Sequence, residues 1–161
     1  MARDASRARL PQPAPEEPAS PLAPTPGRGT PLSAPVHGVM AFVYTTDLSA
    51  VRALVHRHAL RAGLTEARAI DLMLAVSEVA ANTVRHAKSP GCLDIWYDAK
   101  EIICQIRDRG TISDPLAGRR RPALDALGGH GLWIVNQVCD EVEMRSDETG
   151  TTIRLHMTLP C

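Results

Sequence analysis

The chain has 161 residues, with 18 Lys and Arg against 18 Asp and Glu. Its 44% hydrophobic content supports a packed core in one domain, and its 3% aromatic content predicts that this core is aliphatic. The charge balance argues against non-specific nucleic-acid binding, and no apolar run has the length of a membrane span or a signal segment. We expect a cytoplasmic protein that contacts neither nucleic acid nor a membrane directly.

The four cysteines, at positions 92, 104, 139 and 161, are scattered and lack the spacing of a metal site. This pattern predicts incidental thiols in a reducing compartment.

Nine of the thirteen prolines lie in the first 35 residues. Proline removes a backbone donor and fixes φ, so this density is incompatible with a helix or a central strand. We predict a disordered tail over residues 1–37 and a folded domain over residues 38–161. A docking motif for a proline-binding partner is the alternative interpretation of the tail.

The folded part begins with an apolar segment, 39–45, that predicts a strand. A helix follows, capped by Thr46 or Asp47 and stopped by Gly63. Its His56 and His58 are expected at the surface or the helix edge.

A second, longer helix is predicted from a cap at Thr65 to about Ala87. Its apolar positions at helical spacing are Ile70, Met73, Leu74, Ala80, Ala81 and Val84.

Alternating residues then predict two strands, over 93–98 and 102–107, with Ile102, Cys104 and Ile106 facing inward. A long loop over 109–127, a short helix that ends near residue 138 and two closing strands complete the chain. The order β-α-α-β-β-loop-α-β-β predicts an α+β fold, a two-layer sandwich whose mostly antiparallel sheet carries the helices on one face.

Polar residues stand where core residues are expected. Asp108 continues the inward phase of the second of these strands, and a buried carboxylate needs hydrogen-bond donors. It is either a structural carboxylate satisfied by a loop amide or solvent, or an acceptor for a ligand such as a purine amino group. Gly110 allows close approach to the backbone.

On the long helix, Glu78, Asn82 and His86 are spaced by four residues and form one predicted stripe beside the apolar face. They are either a solvated helix edge or a carboxylate and an amide that converge on Mg²⁺ or a reacting hydroxyl. A glycine cluster over 128–131 opens the last helix, where backbone amides favour anions, although such a cluster can also be a plain loop.

Together these segments resemble the boxes of the histidine-kinase-like ATPase superfamily, also called the GHKL or Bergerat fold. Residues 74–87 resemble its N box, Asp108-Arg-Gly110 its G1 box, residues 128–132 its G2 box and Gly150-Thr151-Thr152 its G3 box. The chain is most similar to anti-sigma-factor serine/threonine kinases and their stand-alone actinobacterial relatives. The resemblance covers about residues 40–159.

The resemblance implies an ATP and Mg²⁺ site. Asp108 would bind the adenine amino group over Gly110, with Thr152 or Thr151 assisting through water; Asn82 would ligate Mg²⁺; and residues 111–127 would form a lid. Glu78 would be the general base. The residues implied in nucleotide binding are Asn82, His86, Asp108, Gly110, Gly129, His130, Gly131, Leu132, Thr151 and Thr152.

By the same resemblance, the partners would be an anti-anti-sigma protein of the STAS type, phosphorylated on Ser or Thr, and a sigma factor, with a homodimer possible. The alternative is a nucleotide-binding anti-sigma module without significant phosphotransfer. In this chain Ile112 takes the position where the G1 box often has a second glycine, and this departure favours the alternative.

Overall fold

A computed structural model of the chain describes residues 37–114, 116–123 and 129–160. The predicted tail, apart from residue 37, lies outside the described residues. Five strands and three α-helices follow one another in the predicted order: β1 (His37–Tyr44), α1 (Leu48–Ala62), α2 (Glu66–Asn82), β2 (Gly91–Tyr97), β3 (Glu101–Asp108), α3 (His130–Val138), β4 (Glu141–Asp147) and β5 (Gly150–Thr158). None of the helices in these ranges is long and apolar enough to cross a bilayer.

The strands form one sheet in the order β1-β2-β3-β5-β4, and every neighbouring pair is antiparallel. The helices supply the second layer, so the predicted α+β sandwich is confirmed. Its core is aliphatic, as the composition predicts, and Ile102, Cys104 and Ile106 of β3 are fully buried in it.

The ends of the first two helices follow the local sequence signals. The Asp47 side chain accepts a hydrogen bond from the Ser49 amide at the start of α1. Gly63 ends α1 with a φ of 108°, a left-handed conformation that favours glycine. The Thr65 side chain caps α2 by accepting from the Arg68 amide.

The predicted buried face of α2 is wrong at two positions. Ile70 and Leu74 are exposed, at 46% and 39% of their surface, whereas Leu72 is fully buried. Of the predicted positions, Ala80 is buried, and Met73 and Val84 are partly buried against the core. The buried side chains of α2 are Ala69, Leu72, Ala75, Val76, Val79 and Ala80. The prediction followed a helical spacing that left out Leu72, Val76 and Val79, which are buried. Three alanines of the buried set allow α2 to pack closely against its neighbours.

His58 is also misplaced by the sequence prediction, because it is buried within α1 and only 7% exposed. Burial lowers its pKa, with Arg57 and Arg61 lowering it further. The neutral imidazole is therefore the form that the fold favours.

The outer face of the sheet carries a row of polar side chains that the sequence did not predict as a network. Asp94 and Gln105 are buried there and are joined by a 3.2 Å hydrogen bond. Arg107 donates to Asp94 at 2.9 Å, and Arg154 donates to Gln105 at 2.7 Å. These hydrogen bonds across the strands offset the cost of burying the row, although the Arg107 Nε is buried without a hydrogen-bond partner among the described residues.

Candidate functional site

The segments singled out in the sequence come together at one end of the helical layer. Asp108, the last residue of β3, lies directly opposite Thr151 on β5. Gly110 lies against the end of the α2 segment, since a Cβ on Gly110 would come within 2.9 Å of the Ala87 Cβ. The first turn of α3 approaches the same segment, since a Cβ on Gly131 would lie 2.7 Å from Glu78 Oε2.

The Asp108 carboxylate is half-buried and satisfied by donors from two elements. Its Oδ1 accepts a 2.7 Å hydrogen bond from the Gly110 amide, and its Oδ2 accepts a 2.6 Å hydrogen bond from the Thr83 hydroxyl. A carboxylate has about four lone-pair sites, so acceptor capacity remains for a ligand donor. The structural and the ligand-binding interpretations of Asp108 are therefore compatible.

The loop after β3 is fastened to the last two strands by hydroxyl groups. Thr151 donates to the Gly110 carbonyl at 2.7 Å, and Ser146 lies 2.8 Å from the Thr151 hydroxyl. Ser146 also accepts from the Ile112 amide at 2.8 Å, while the Ile112 side chain packs against the core. The Ile112 side chain thus adds to the start of the long loop a core contact that a glycine could not make.

The turn before β5 packs against the backbone of Asp108. Gly150 has a φ of 139°, and a Cβ on it would lie 2.1 Å from the Asp108 carbonyl oxygen. Only glycine fits this approach. Because strand side chains alternate, Thr151 lies on the Asp108 face of the sheet and Thr152 lies on the opposite face.

Glu78 and Asn82 lie half-buried near the end of α2, but the predicted stripe does not extend regularly to His86. After Asn82 the chain forms a π-helical turn, Thr83–Ala87. A π turn holds more residues than an α turn, so a spacing of four no longer keeps side chains on one line. His86 is exposed in this turn.

The last helix starts without a side-chain cap. Gly129 is its N-cap residue, with a φ of 86° and no side-chain hydrogen bond, so the first amides of α3 remain available. Gly129 is exposed, and His130, Gly131 and Leu132 are half-buried in the first turn. Gly128, which belongs to the predicted cluster, lies outside the described residues.

Part of the long loop, 111–127, is described and rests on α3. A Cβ on Gly118 would lie 2.6 Å from the Leu132 carbonyl oxygen. The Arg121 guanidinium lies 5.6 Å from the centre of the Trp133 ring, within the range of a cation–π interaction. Arg119 and Arg120 are exposed.

The residues of the site suit a metal ion that is held mainly by a bound phosphate ligand and only in part by the protein. Among residues 37–114, 116–123 and 129–160, no group of three or more His, Cys, Asp or Glu side chains could hold a metal. Asn82 offers a single neutral oxygen at this site. Mg²⁺ commonly takes one or two protein ligands and completes its shell with phosphate oxygens and water, and Asn82 fits that role.

Three comparisons with known proteins show which family and which fold this chain resembles. Residues 44–157 match the family described as histidine kinase-like ATPase domain. The serine-protein kinase RsbW of Halalkalibacterium halodurans is 33% identical over 111 residues, which are 60% of this chain and 67% of that protein.

The structure of the RsbU and RsbW domains of Rv1364c from Mycobacterium tuberculosis is similar with a TM-score of 0.52 and 18% identity. The match covers 75% of this chain and 33% of the mycobacterial chain, so the present chain spans one third of that protein. At this identity the likeness shows the fold alone.

Proposed function

The chain belongs to the histidine kinase-like ATPase domain family, and on this premise we propose that it is an ATP-binding anti-sigma regulatory factor with serine/threonine protein kinase activity. Its substrate would be a hydroxyl group of an anti-anti-sigma (STAS) partner, and through that partner it would control a sigma factor. The observation that carries the proposal is the contact of Glu78 with Gly131. It puts a carboxylate beside the uncapped N-terminus of α3, where phosphate groups are favoured.

The adenine end of the site would be built on Asp108. Its free acceptor positions suit the exocyclic amino group, and Gly110 lets the loop backbone pack closely against Ala87 and donate to Asp108 Oδ1. We assign the supporting hydroxyl to Thr151 rather than Thr152, because only Thr151 shares the Asp108 face of the sheet.

The phosphate end would lie at the first turn of α3. The backbone there, at Gly129, His130, Gly131 and Leu132, would donate to phosphate oxygens, and Asn82 would hold Mg²⁺ with His86 near the outer edge. When bound, ATP and Mg²⁺ supply the transferable phosphoryl group and neutralise its charge. Glu78 would orient the partner's hydroxyl group and accept its proton.

A second candidate function is nucleotide-dependent binding of a partner without significant phosphotransfer. Ile112 favours it, because its side chain packs against the core and so restrains the base of the loop that would close over the nucleotide.

Nucleotide binding is tested by calorimetric titration of the purified chain with ATP and Mg²⁺. We expect binding by the wild type and a loss of at least about tenfold in Asp108→Asn, because an amide presents a donor where the adenine amino group needs an acceptor. Asp98→Asn, in the turn between β2 and β3, is the matched control. A folded wild type that binds no ATP would contradict the proposal.

Phosphotransfer is tested separately with Glu78→Gln and a purified STAS-domain partner. Loss of the general base is expected to slow phosphorylation by about 100-fold or more while ATP affinity is kept. Glu143→Gln, on β4, is the control. Transfer at the wild-type rate by Glu78→Gln would exclude Glu78 as the base, and absence of transfer by the wild type would favour the second candidate.

A further inference from the structure

Behind the candidate adenine site lies a chain of three hydrogen-bonded side chains from three elements. Tyr44, the last residue of β1, donates from its phenol to the Thr83 hydroxyl at 3.2 Å. Thr83, the first residue of the π-helical turn, donates to Asp108 Oδ2 at 2.6 Å. Neither Tyr44 nor Thr83 was singled out by the sequence, and both are almost fully buried, at 3% and 2% exposure.

The direction of these hydrogen bonds is fixed by the donors available. Thr83 has one hydroxyl proton and lies 2.6 Å from Asp108 but 3.4 Å from the Val79 carbonyl, so the carboxylate is the better acceptor. Burial raises the pKa of Tyr44 to about 12, and the charge of Asp108 raises it as well. The phenol therefore stays protonated at neutral pH and donates to the oxygen of Thr83.

The position of Tyr44 is built into the sheet. Tyr44 pairs with Gly91 across β1 and β2, and a Cβ on Gly91 would lie 2.2 Å from the ring carbon that carries the hydroxyl. The ring can occupy this place only because position 91 has no side chain. Because Gly91 leaves space for the ring, the Tyr44 phenol reaches Thr83 and donates a hydrogen bond to its hydroxyl oxygen.

We propose that Thr83 and Tyr44 are positioning residues that hold the Asp108 carboxylate in one orientation and thereby set the selectivity of the site for a purine with an amino group at C6 over one with an oxo group. The inference rests on the proposed nucleotide site. With Oδ2 held by Thr83 and Oδ1 by Gly110, the carboxylate cannot turn to relieve its repulsion of an oxo group. Loss of the Thr83 hydroxyl frees one oxygen and lets the carboxylate adapt.

The test measures affinities for ATP and for ITP, each with Mg²⁺, in the wild type and in Thr83→Val and Thr83→Ser. Valine keeps the shape of threonine without the hydroxyl, and serine keeps the hydroxyl. We expect the ratio of ITP to ATP dissociation constants to fall about tenfold in Thr83→Val, as one charge-assisted hydrogen bond is lost, and to be restored in Thr83→Ser. Thr46→Val, in the exposed turn after β1, is the matched control and should keep the wild-type ratio.

Tyr44→Phe gives the same test one step further from the nucleotide and serves if Thr83→Val does not fold. It should lower the ratio by a smaller factor, because Thr83 can still donate to Asp108. If the wild type binds ATP and both variants keep its selectivity, the positioning role is wrong although the nucleotide site stands. If the wild type binds neither nucleotide, the proposed function itself fails.

Discussion

At the scale of single residues, a substitution at Gly131, which contacts Glu78, should affect phosphotransfer but not stability. Gly131 lies inside α3 without a positive φ, and an added Cβ would meet only the end of a flexible side chain, 2.7 Å from Glu78 Oε2. We expect Gly131→Ala to melt at or above the wild-type temperature, because Ala is favoured over Gly in a helix by about 1 kcal/mol. Phosphotransfer should fall by about 100-fold as the carboxylate is displaced. Thermal melting and transfer rates check this pair of outcomes.

Gly129→Ala is the control for this prediction. At Gly129 the nearest atom to an added Cβ is 3.9 Å away, but the φ of 86° is unfavourable for other residues. The cost there is conformational, about 1–2 kcal/mol, and should lower the melting temperature. A Gly131→Ala protein that is less stable than Gly129→Ala would show that the first turn of α3 is packed more tightly than the Glu78 contact suggests.

At the scale of secondary-structure elements, the orientation of α2 can be measured with two leucines. Leu72 is fully buried and Leu74 is 39% exposed, about 200° further around the helix. Leu72→Ala should lower the free energy of unfolding by about 2–5 kcal/mol, and Leu74→Ala by less than about 1 kcal/mol. Denaturant unfolding of both variants tests the orientation. Equal losses would place both side chains in the core.

The end of α3 is tied to its neighbours through Asp140. The Asp140 carboxylate accepts from the Thr158 amide and from Arg68, each at 2.7 Å, and these contacts hold its pKa below the usual value. Its contribution to stability is therefore present above the unfolded-state pKa of about 4 and lost as pH falls through the lower folded-state pKa. The stability difference between the wild type and Asp140→Asn, from denaturant unfolding, should shrink on acidification. A difference that grows at low pH would contradict this.

Local signals in the sequence predict where helices begin and end, but not which face of each helix is buried. Asp47, Gly63 and Thr65 act through neighbouring backbone groups, so their effect can be predicted from a few residues. The buried face of α2 depends on what packs against it, and a spacing rule that favoured Ile70 and Leu74 misplaced both.

In the candidate site, too, some residues could be predicted from the sequence and others could not. The positions of Glu78, Asn82 and Asp108 follow from motif order, and the fold brings their elements together. Thr83 was missed because its partners, Tyr44 and Asp108, are 39 and 25 residues away in the chain. The π-helical turn was also missed, because such turns are rare and continue an α-helix without a break in the sequence pattern. The sequence shows a threonine directly after Asn82 but not its burial, which depends on the packing of β1 and β3 around it.

At the scale of the whole molecule, the strand order explains why distant segments share one site. Pairing of β3 with β5 sets Asp108 against Thr151, and the turn between β4 and β5 then packs Gly150 onto the Asp108 backbone. The helix between β3 and β4 in the sequence, α3, lies beside α2, so its first turn reaches Glu78. The strand order and the packing of α3 beside α2 thus bring residues from positions 78 to 151 close together.

The domain boundary can be tested with two deletions. β1 begins at His37 and forms the edge of the sheet, and the buried core of the described residues runs from Tyr44 to Leu159. We propose that residues 1–36 are dispensable for folding, so their deletion should leave cooperative thermal unfolding and ATP affinity within about twofold of the wild type. Deletion of residues 1–44 removes β1 with Tyr44 and exposes β2 as a new edge of the sheet. The melting temperature should fall by about 10 °C or more, because each kcal/mol lost lowers it by roughly 4 °C in a domain of this size. Loss of cooperative unfolding in the shorter deletion would mean that the tail is part of the folded unit.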